Sequence, residues 1–316
     1  MRLSELYKAL ADDSRLRLIS VLARGLFNVQ ELTAVLGISQ PTVSHHLKVL
    51  HGAGLTRVHR EGTWSYYGLA NHIEGENGTS ANSPVTSLTR ELSTLLKNNP
   101  PHGSEHDEQR IAEILAARRN QAHQFFERVA PEWRTLRHEL AEDESCVERV
   151  LQSVEPNETV VDLGCGSGAL LERLLPRTGS TIGVDYSQAM LAEARRALGD
   201  RVAQVDLRIG SLEHLPLADE SVDLAVAYMV CHHLPTPSEA LADAARVLKP
   251  GGRLLIVDLT KHNDEHLRER FADQWLGFDL NQFSEWILDA GLSPPKTELV
   301  GIRKSVFFLE TYKQGK

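Results

Sequence analysis

At 316 residues, 41% of them hydrophobic and 24% charged, the chain is long enough to bury two cores of ordinary domain size, and its composition excludes a fibrous or low-complexity protein. The net charge of −9 excludes nucleic-acid binding over the whole surface, but residues 1–72 carry 8 Lys and Arg against 5 Asp and Glu, leaving 26 against 38 elsewhere; any DNA contact therefore belongs to the N-terminal part. Three scattered cysteines, Cys146, Cys165 and Cys231, argue against a disulfide framework and imply a reducing compartment, and Arg2, Glu5 and Lys8 stand where a signal peptide needs apolar residues. With no apolar run near the ~20 residues of a membrane span, a cytoplasmic protein without membrane contact is expected.

Leu6, Leu10, Leu16, Leu18, Ile19 and Leu22 recur at helical spacing, and Asp12-Asp13-Ser14 reads as a turn and cap between two helices. A third helix is predicted over about Val29 to Leu36, ending at Gly37. Ser39 caps a fourth, with Pro41 tolerated in its first turn. On that fourth helix Val43, Leu47 and Leu50 face inward, leaving Gln40, Thr42, Ser44, His45, His46 and Lys48 on the polar side. Gln40, Thr42 and His45 could reach base edges, and Lys48 suits phosphate. The alternative for this stretch alone is an ordinary helical cluster with a polar face. Leu55 to Val58 and Ser65 to Leu69 follow as short strands around a glycine-bearing tip, where Arg57 and Arg60 suit phosphate or the minor groove.

Leu10-Ala11-Asp12-Asp13-Ser14-Arg15-Leu16-Arg17 and Ser39-Gln40-Pro41-Thr42-Val43-Ser44-His45-His46-Leu47, with the hairpin behind them, resemble the winged helix-turn-helix of ArsR-type repressors across residues 3 to 69. The resemblance implies a double-stranded DNA operator as partner. Metal-sensing members place cysteines on the helix before the recognition helix; here that stretch is Asn28-Val29-Gln30-Glu31-Leu32, and the histidines form no compact ligand set in the sequence, so no metal is expected. Glu74 to Ser83 reads as loop, and Leu88, Leu92, Leu95 and Leu96 form a narrow helical stripe that packs on a second copy, on its own head, or on both. We expect a DNA-binding and dimerisation domain over 1–97, a linker over 98–106 and a second domain over 107–316.

The second domain opens with a helix carrying Ile111, Ile114, Leu115, Phe125, Phe126 and Val129. Strand and helix patterns then alternate from Thr159, with strands over Thr159 to Leu163, Thr181 to Val184, Asp206 to Ile209, Val222 to Ala227 and Arg253 to Asp258, closed by Leu299 to Ile302 and Val306 to Tyr312. Such alternation predicts an α/β domain with ligands at the carboxyl ends of a parallel sheet. Gly164-Cys165-Gly166-Ser167-Gly168 lets backbone approach a ligand, and Asp185 ends the next strand where a carboxylate can accept both ribose hydroxyls. The loop alone also satisfies a dinucleotide fingerprint through Gly164, Gly166 and Ala169.

Asp162 before that loop, Gly183-Val184-Asp185-Tyr186-Ser187 through Met190, Leu215-Pro216-Leu217 and Leu248-Lys249-Pro250-Gly251-Gly252-Arg253 together resemble class I S-adenosylmethionine-dependent methyltransferases over residues 120 to 312. The resemblance implies a Rossmann-like fold and S-adenosylmethionine or S-adenosylhomocysteine as cofactor. Asp162 and Gly164 would lie near the methionine moiety, Asp185 on ribose, and Tyr186 and Met190 beside adenine, with Cys165 and Gly166 also in contact with the cofactor. Ser211 and Leu212 fall where the family usually has an acidic residue. Tyr228, His232 and His233 stand where substrate-facing groups occur, either histidine being a possible base; otherwise they cap a sheet edge. Phe126 and Trp133 cover the cofactor or belong to the core. Arsenic methylation would need several spaced cysteines, and only Cys231 lies near the substrate side. The combination resembles S-adenosylhomocysteine-responsive regulators of methionine-cycle genes; the rival expectation is a working small-molecule methyltransferase with a localising or autoregulatory head.

Overall fold

The structure, a computed structural model, describes residues 3–61, 64–70, 84–139, 144–300 and 305–315. Its contacts form two compact units, Met1–Arg118 and Arg119–Lys316.

In the first unit, helices α1 (Leu3–Leu10), α2 (Asp13–Leu22), α3 (Val29–Leu36) and α4 (Gln40–Gly52) follow the sequence pattern closely; the starts of α2, α3 and α4 each have a side chain to receive an orphan amide. Asp12 accepts from the Arg15 amide at 3.0 Å. Asn28 accepts from the Glu31 amide at 3.0 Å while the Glu31 carboxylate accepts from the Asn28 amide at 2.8 Å, a reciprocal capping box. Ser39 caps α4, and Gly37 closes α3 at a φ of 67°. Leu18, Leu22, Phe27, Leu32, Leu47, Leu50 and Leu55 are fully buried between these helices, each supplying about 1.5–3 kcal/mol of transfer free energy.

Strands β1 (Phe27–Asn28), β2 (Thr56–Glu61) and β3 (Trp64–Leu69) form an antiparallel sheet in the order β1-β3-β2. The two-residue β1 was not expected. The hairpin strands run further than their apolar residues suggest, since Arg60 pairs with Ser65 and Glu61 with Trp64; positions 62 and 63 lie outside the described residues. Helix α5 (Pro84–Asn98) puts Leu96, with Leu88 and Leu92, onto the head's own core and leaves Leu95 exposed. The segment predicted as loop, 74–83, lies outside the described residues.

The unit boundary differs from the expected linker at 98–106, falling instead inside α6 (Asp107–Val129). The reason is electrostatic as well as apolar. Arg17 forks onto Asp107 at 2.6 and 2.8 Å, Arg110 donates to the Val35 carbonyl at 2.7 Å, and Arg118 holds Glu31 at 2.6 Å; Ile111 and Leu115 join the head core.

The second unit continues through α7 (Trp133–Glu139), α8 (Glu144–Gln152), α9 (Ala169–Leu174), α10 (Gln188–Leu198), α11 (Pro237–Val247), α12 (Glu265–Phe271) and α13 (Leu280–Asp289). Its strands are β4 (Thr159–Leu163), β5 (Ser180–Asp185), β6 (Val205–Ile209), β7 (Val222–Tyr228), β8 (Leu248–Leu259), β9 (Lys296–Val300) and β10 (Val306–Tyr312). They form one sheet in the order β6-β5-β4-β7-β8-β10-β9, parallel from β6 to β8, with β10 antiparallel to both neighbours. Val160, Val161, Leu224, Val226, Leu255 and Val257 are buried as expected of central strands covered on both faces. The expected last residues of the strand beginning at Leu299 lie outside the described residues. Strand order runs outward in both directions from β4 and β7, and the crevice outside their carboxyl ends is where ligands of such sheets bind.

Candidate cofactor cleft and recognition helix

Three apolar strands carry an aspartate at or one residue before their carboxyl end at this crevice: Asp162 on β4, Asp185 on β5 and Asp258 on β8. The turn after β4 must pass close to the segment after β7. Gly164 has a φ of 72°, and a Cβ there would stand 2.3 Å from Val230 Cγ2, so the approach is open to glycine alone. Asp185 accepts from the Gly166 amide at 2.8 Å and the Ser187 amide at 2.9 Å. Burial nevertheless raises its carboxyl to about 6, with those two amides pulling the other way. Ser187 caps α10 and donates to Glu127 at 2.8 Å, fixing Tyr186 and Met190 at the cleft wall.

Asp162, Gly164, Cys165, Gly166, Asp185, Tyr186, Met190, Leu212, Tyr228, His232 and His233 all line one cleft, together with Phe126 and Trp133. The last two thus do face the cavity, Phe126 meeting Trp133 edge to face at 5.2 Å. Ser211 does not line it; that residue bridges to His214 in a tight turn. Glu213, not among the sequence candidates, is buried beside this turn with Oε1 lacking a hydrogen-bond partner; burial first, then the charges of Asp185 and Glu213, raise the Tyr186 hydroxyl. Burial holds the Cys165 and Cys231 thiols well above their ordinary range, so neither is a ready nucleophile.

The second constellation sits after β7. Cys231–His233 form a single 3₁₀ turn, and His232 Nδ1 meets Asp258 Oδ1 at 2.7 Å. Asp258 also accepts from the Cys231 and Leu259 amides, so it is a fully engaged buried carboxylate that fixes the imidazole. Burial opposes charge on His232, but Asp258 and Asp273 outweigh it and raise the ring to about 9. Burial and the neighbouring His232 instead hold His233 well below its usual range. Asp273 comes from the chain after α12: the Gln274 and Trp275 amides donate to the His232 carbonyl at 2.8 and 3.0 Å, and the Trp275 indole donates to the Leu234 carbonyl at 2.8 Å. Asp273 Oδ1 thereby lies 3.5 Å from His233 Nδ1 and 3.8 Å from His232 Nε2. The expectation that the histidines form no compact ligand set is corrected here, because the third member is distant in sequence. Asp258 carried a signal, an acid closing an apolar strand; Asp273 carried none.

On α4, Gln40, Thr42, Ser44, His45 and Lys48 are exposed along one side. His46 is not: it is buried, with Nδ1 3.9 Å from Asp12, and burial lowers its ring. Arg57 is half-buried opposite Gly68 in the body of the hairpin rather than at its tip. The side chain of Arg60 lies outside the described residues.

Residues 12–57 match the model of the bacterial regulatory protein arsR family, and residues 161–256 match that of a methyltransferase domain. The chain joins an arsR-family helix-turn-helix to a class I methyltransferase domain. It is 32% identical over 157 residues to an uncharacterized 37.1 kDa protein of Streptomyces fradiae, covering 44% of this chain and 45% of that one. It is 36% identical over 117 residues to an arsenite methyltransferase of Halobacterium salinarum, covering 36% and 30%, and 32% identical over 122 residues to a ubiquinone biosynthesis O-methyltransferase of Hydrogenovibrio crunogenus, covering 38% and 50%. The matches thus span half or less of these relatives. A chain in the complex between the Haloferax volcanii Trm112 methyltransferase activator and a putative methyltransferase shares the fold, with a TM-score of 0.54 and 21% identity over 60% of this chain and 97% of that one.

Proposed function

We propose that this protein is a cytoplasmic, homodimeric DNA-binding regulator whose methyltransferase-type cleft takes S-adenosylmethionine or S-adenosylhomocysteine as effector, with methionine-cycle genes as targets. The observation that carries this reading is the joining of a helix with an exposed polar face to a cleft built for a nucleoside. Asp185 accepts the ribose hydroxyls, Tyr186, Met190 and Leu212 take the adenine, and the Gly164–Gly166 turn admits the methionine end. Two copies are required for two recognition helices to reach two half-sites, and the exposed Leu95 suits such a contact.

A ligand shifts DNA affinity only through its differential affinity for the two states, and the coupling must be reciprocal. With a duplex selected from a random pool, S-adenosylhomocysteine should change affinity by about 5- to 150-fold, the usual range of such coupling, and DNA should change S-adenosylhomocysteine affinity by the same factor. Operator affinity that neither cofactor moves sinks the regulator.

On the same duplex, Lys48→Ala and Arg60→Ala should weaken specific and random DNA alike and reduce the salt slope by about 1 each, whereas Gln40→Ala and Thr42→Ala should cost about 1–3 kcal/mol of discrimination. Equal loss of discrimination at all four positions would refute this division of labour.

One observation favours a second reading, a working methyltransferase: His232, oriented by Asp258, faces the cleft where an acceptor would bind; with the ring raised to about 9, it serves as base in its neutral form, so transfer should rise with pH toward that value. When bound, S-adenosylmethionine supplies the methyl group; the protein's own part is to position the acceptor and hold its proton at His232. Steady release of S-adenosylhomocysteine with a defined acceptor, abolished in His232→Ala, would establish it.

A further inference from the structure

We propose that His232 Nε2, His233 Nδ1 and Asp273 Oδ1 bind one first-row divalent transition ion, of which Zn2+ is the representative. The three atoms lie within 4.8 Å of one another, two of the separations being 3.5 and 3.8 Å. Bonds of about 2.0–2.1 Å in a tetrahedral shell set ligand atoms roughly 3.4 Å apart, so small side-chain rotations close the site.

Each side chain offers one atom to a common point, any proton on it being released to the entering ion. His232 donates a hydrogen bond from Nδ1 to Asp258, so Nε2 is the atom left for the ion, the carboxylate–histidine–metal arrangement that orients the ring and raises its basicity. The backbone of Ala272 makes a hydrogen bond with His233, and Nδ1 of that ring is buried with no hydrogen-bond partner. Asp273 Oδ1 is in the same condition, in a side chain only 3% exposed. Two buried lone-pair atoms that face each other at 3.5 Å with no hydrogen-bond partner are what a missing cation would leave.

The backbone supports the same assignment. Met229 and Ala272, non-glycine residues at φ of 53° and 59°, flank the turn and the loop that supply the donors. Such outliers persist where surrounding structure over-determines them. Here the Gln274 and Trp275 amides, both bonded to the His232 carbonyl, do so. A divalent ion also balances Asp258 and Asp273, two carboxylates buried in one wall. Three protein ligands leave a position open, as in zinc sites that hold water or a small oxygen donor, and both histidines line the cleft into which that position would open. This site is independent of which cofactor occupies the cleft.

The test uses the full chain without a polyhistidine tag, stripped with a chelator, dialysed and titrated with Co2+ under visible absorption and with Zn2+ in competition. One ion per chain is expected, with ligand-field bands of a nitrogen- and oxygen-bound ion of low coordination number. Asp258→Asn should retain the stoichiometry and weaken binding about 10- to 100-fold, the usual effect of removing an outer partner; Asp273→Asn, which removes a ligand, should weaken it by roughly 100-fold or more. Failure of the unaltered chain to bind Co2+ at micromolar concentration overturns the proposal. So does undiminished binding by Asp273→Asn, which would put the ion among the other histidines of the chain.

Discussion

Asp185→Ala is expected to weaken S-adenosylhomocysteine by roughly 10- to 150-fold, the equivalent of about 1.5–3 kcal/mol for hydrogen bonds to a charged group. The same carboxylate should give that affinity a pH limb. Burial raises Asp185 to about 6 from 3.8, and ribose hydroxyls donate to the ionised form. Binding should therefore be flat above about pH 7 and fall by up to tenfold per unit below about pH 6. The stability of the free protein has the opposite sign. Because the folded value is the higher one, the contribution of protonated Asp185 is complete below the unfolded value and is lost as pH rises through the folded value. Calorimetric titration between pH 5 and pH 8 (about two units around the folded value) checks both; a limb that persists in Asp185→Asn would assign it to another group.

Gly277→Ala should lower the stability of the methyltransferase unit by about 3 kcal/mol or more, adding the strain of a left-handed non-glycine residue to a backbone clash. Gly277 has a φ of 69°, and its Cβ would lie 2.2 Å from the Thr260 carbonyl oxygen and 2.6 Å from the carbon. Both are backbone atoms at the end of β8, which no side-chain rotation can move. The adjacent chain is bonded there in both directions, Phe278 amide to Leu259 carbonyl at 2.9 Å and Lys261 amide to Phe278 carbonyl at 3.0 Å. For a unit of this size the loss corresponds to a melting shift of roughly 6–12 °C. Gly251→Ala is the control: its φ is 78°, but no heavy atom lies within 4 Å of its Cβ, so only conformational strain of about 1–2 kcal/mol applies. Equal melting of the two variants would show that the close approach does not matter. The loop bearing Asp273 precedes Gly277 directly, so the substitution should also disturb the His232 wall.

What was legible in the sequence was local. The helix starts at Asp12 and Ser39 and the strand ends at Leu163 and Asp185 were readable because a cap or an apolar run announces itself within five residues. The hairpin was read short because Arg60 and Glu61 are charged, and the ladder that carries β2 through them leaves no mark in an apolar pattern. That the start of α6 is tied to the head was not readable, because Arg17 and Asp107 are ninety residues apart. Asp273 and its contact with His233 were invisible for the same reason: the loop has no period, and only the fold brings it to the turn after β7. His46 was assigned to the polar face by composition, whereas helical phase turns it inward with Leu47 and Leu50.

Of the four tryptophans, Trp275 and Trp286 are sealed in the interior of the second unit, while Trp133 is half-buried at the cleft, 3.9 Å from where a Cβ on Gly166 would be. The protein thus carries its own optical reporter with an internal reference. An occupant that expels water from the cleft changes the polarity around one indole and leaves two others as they were, so its arrival can be followed by ultraviolet emission without a label.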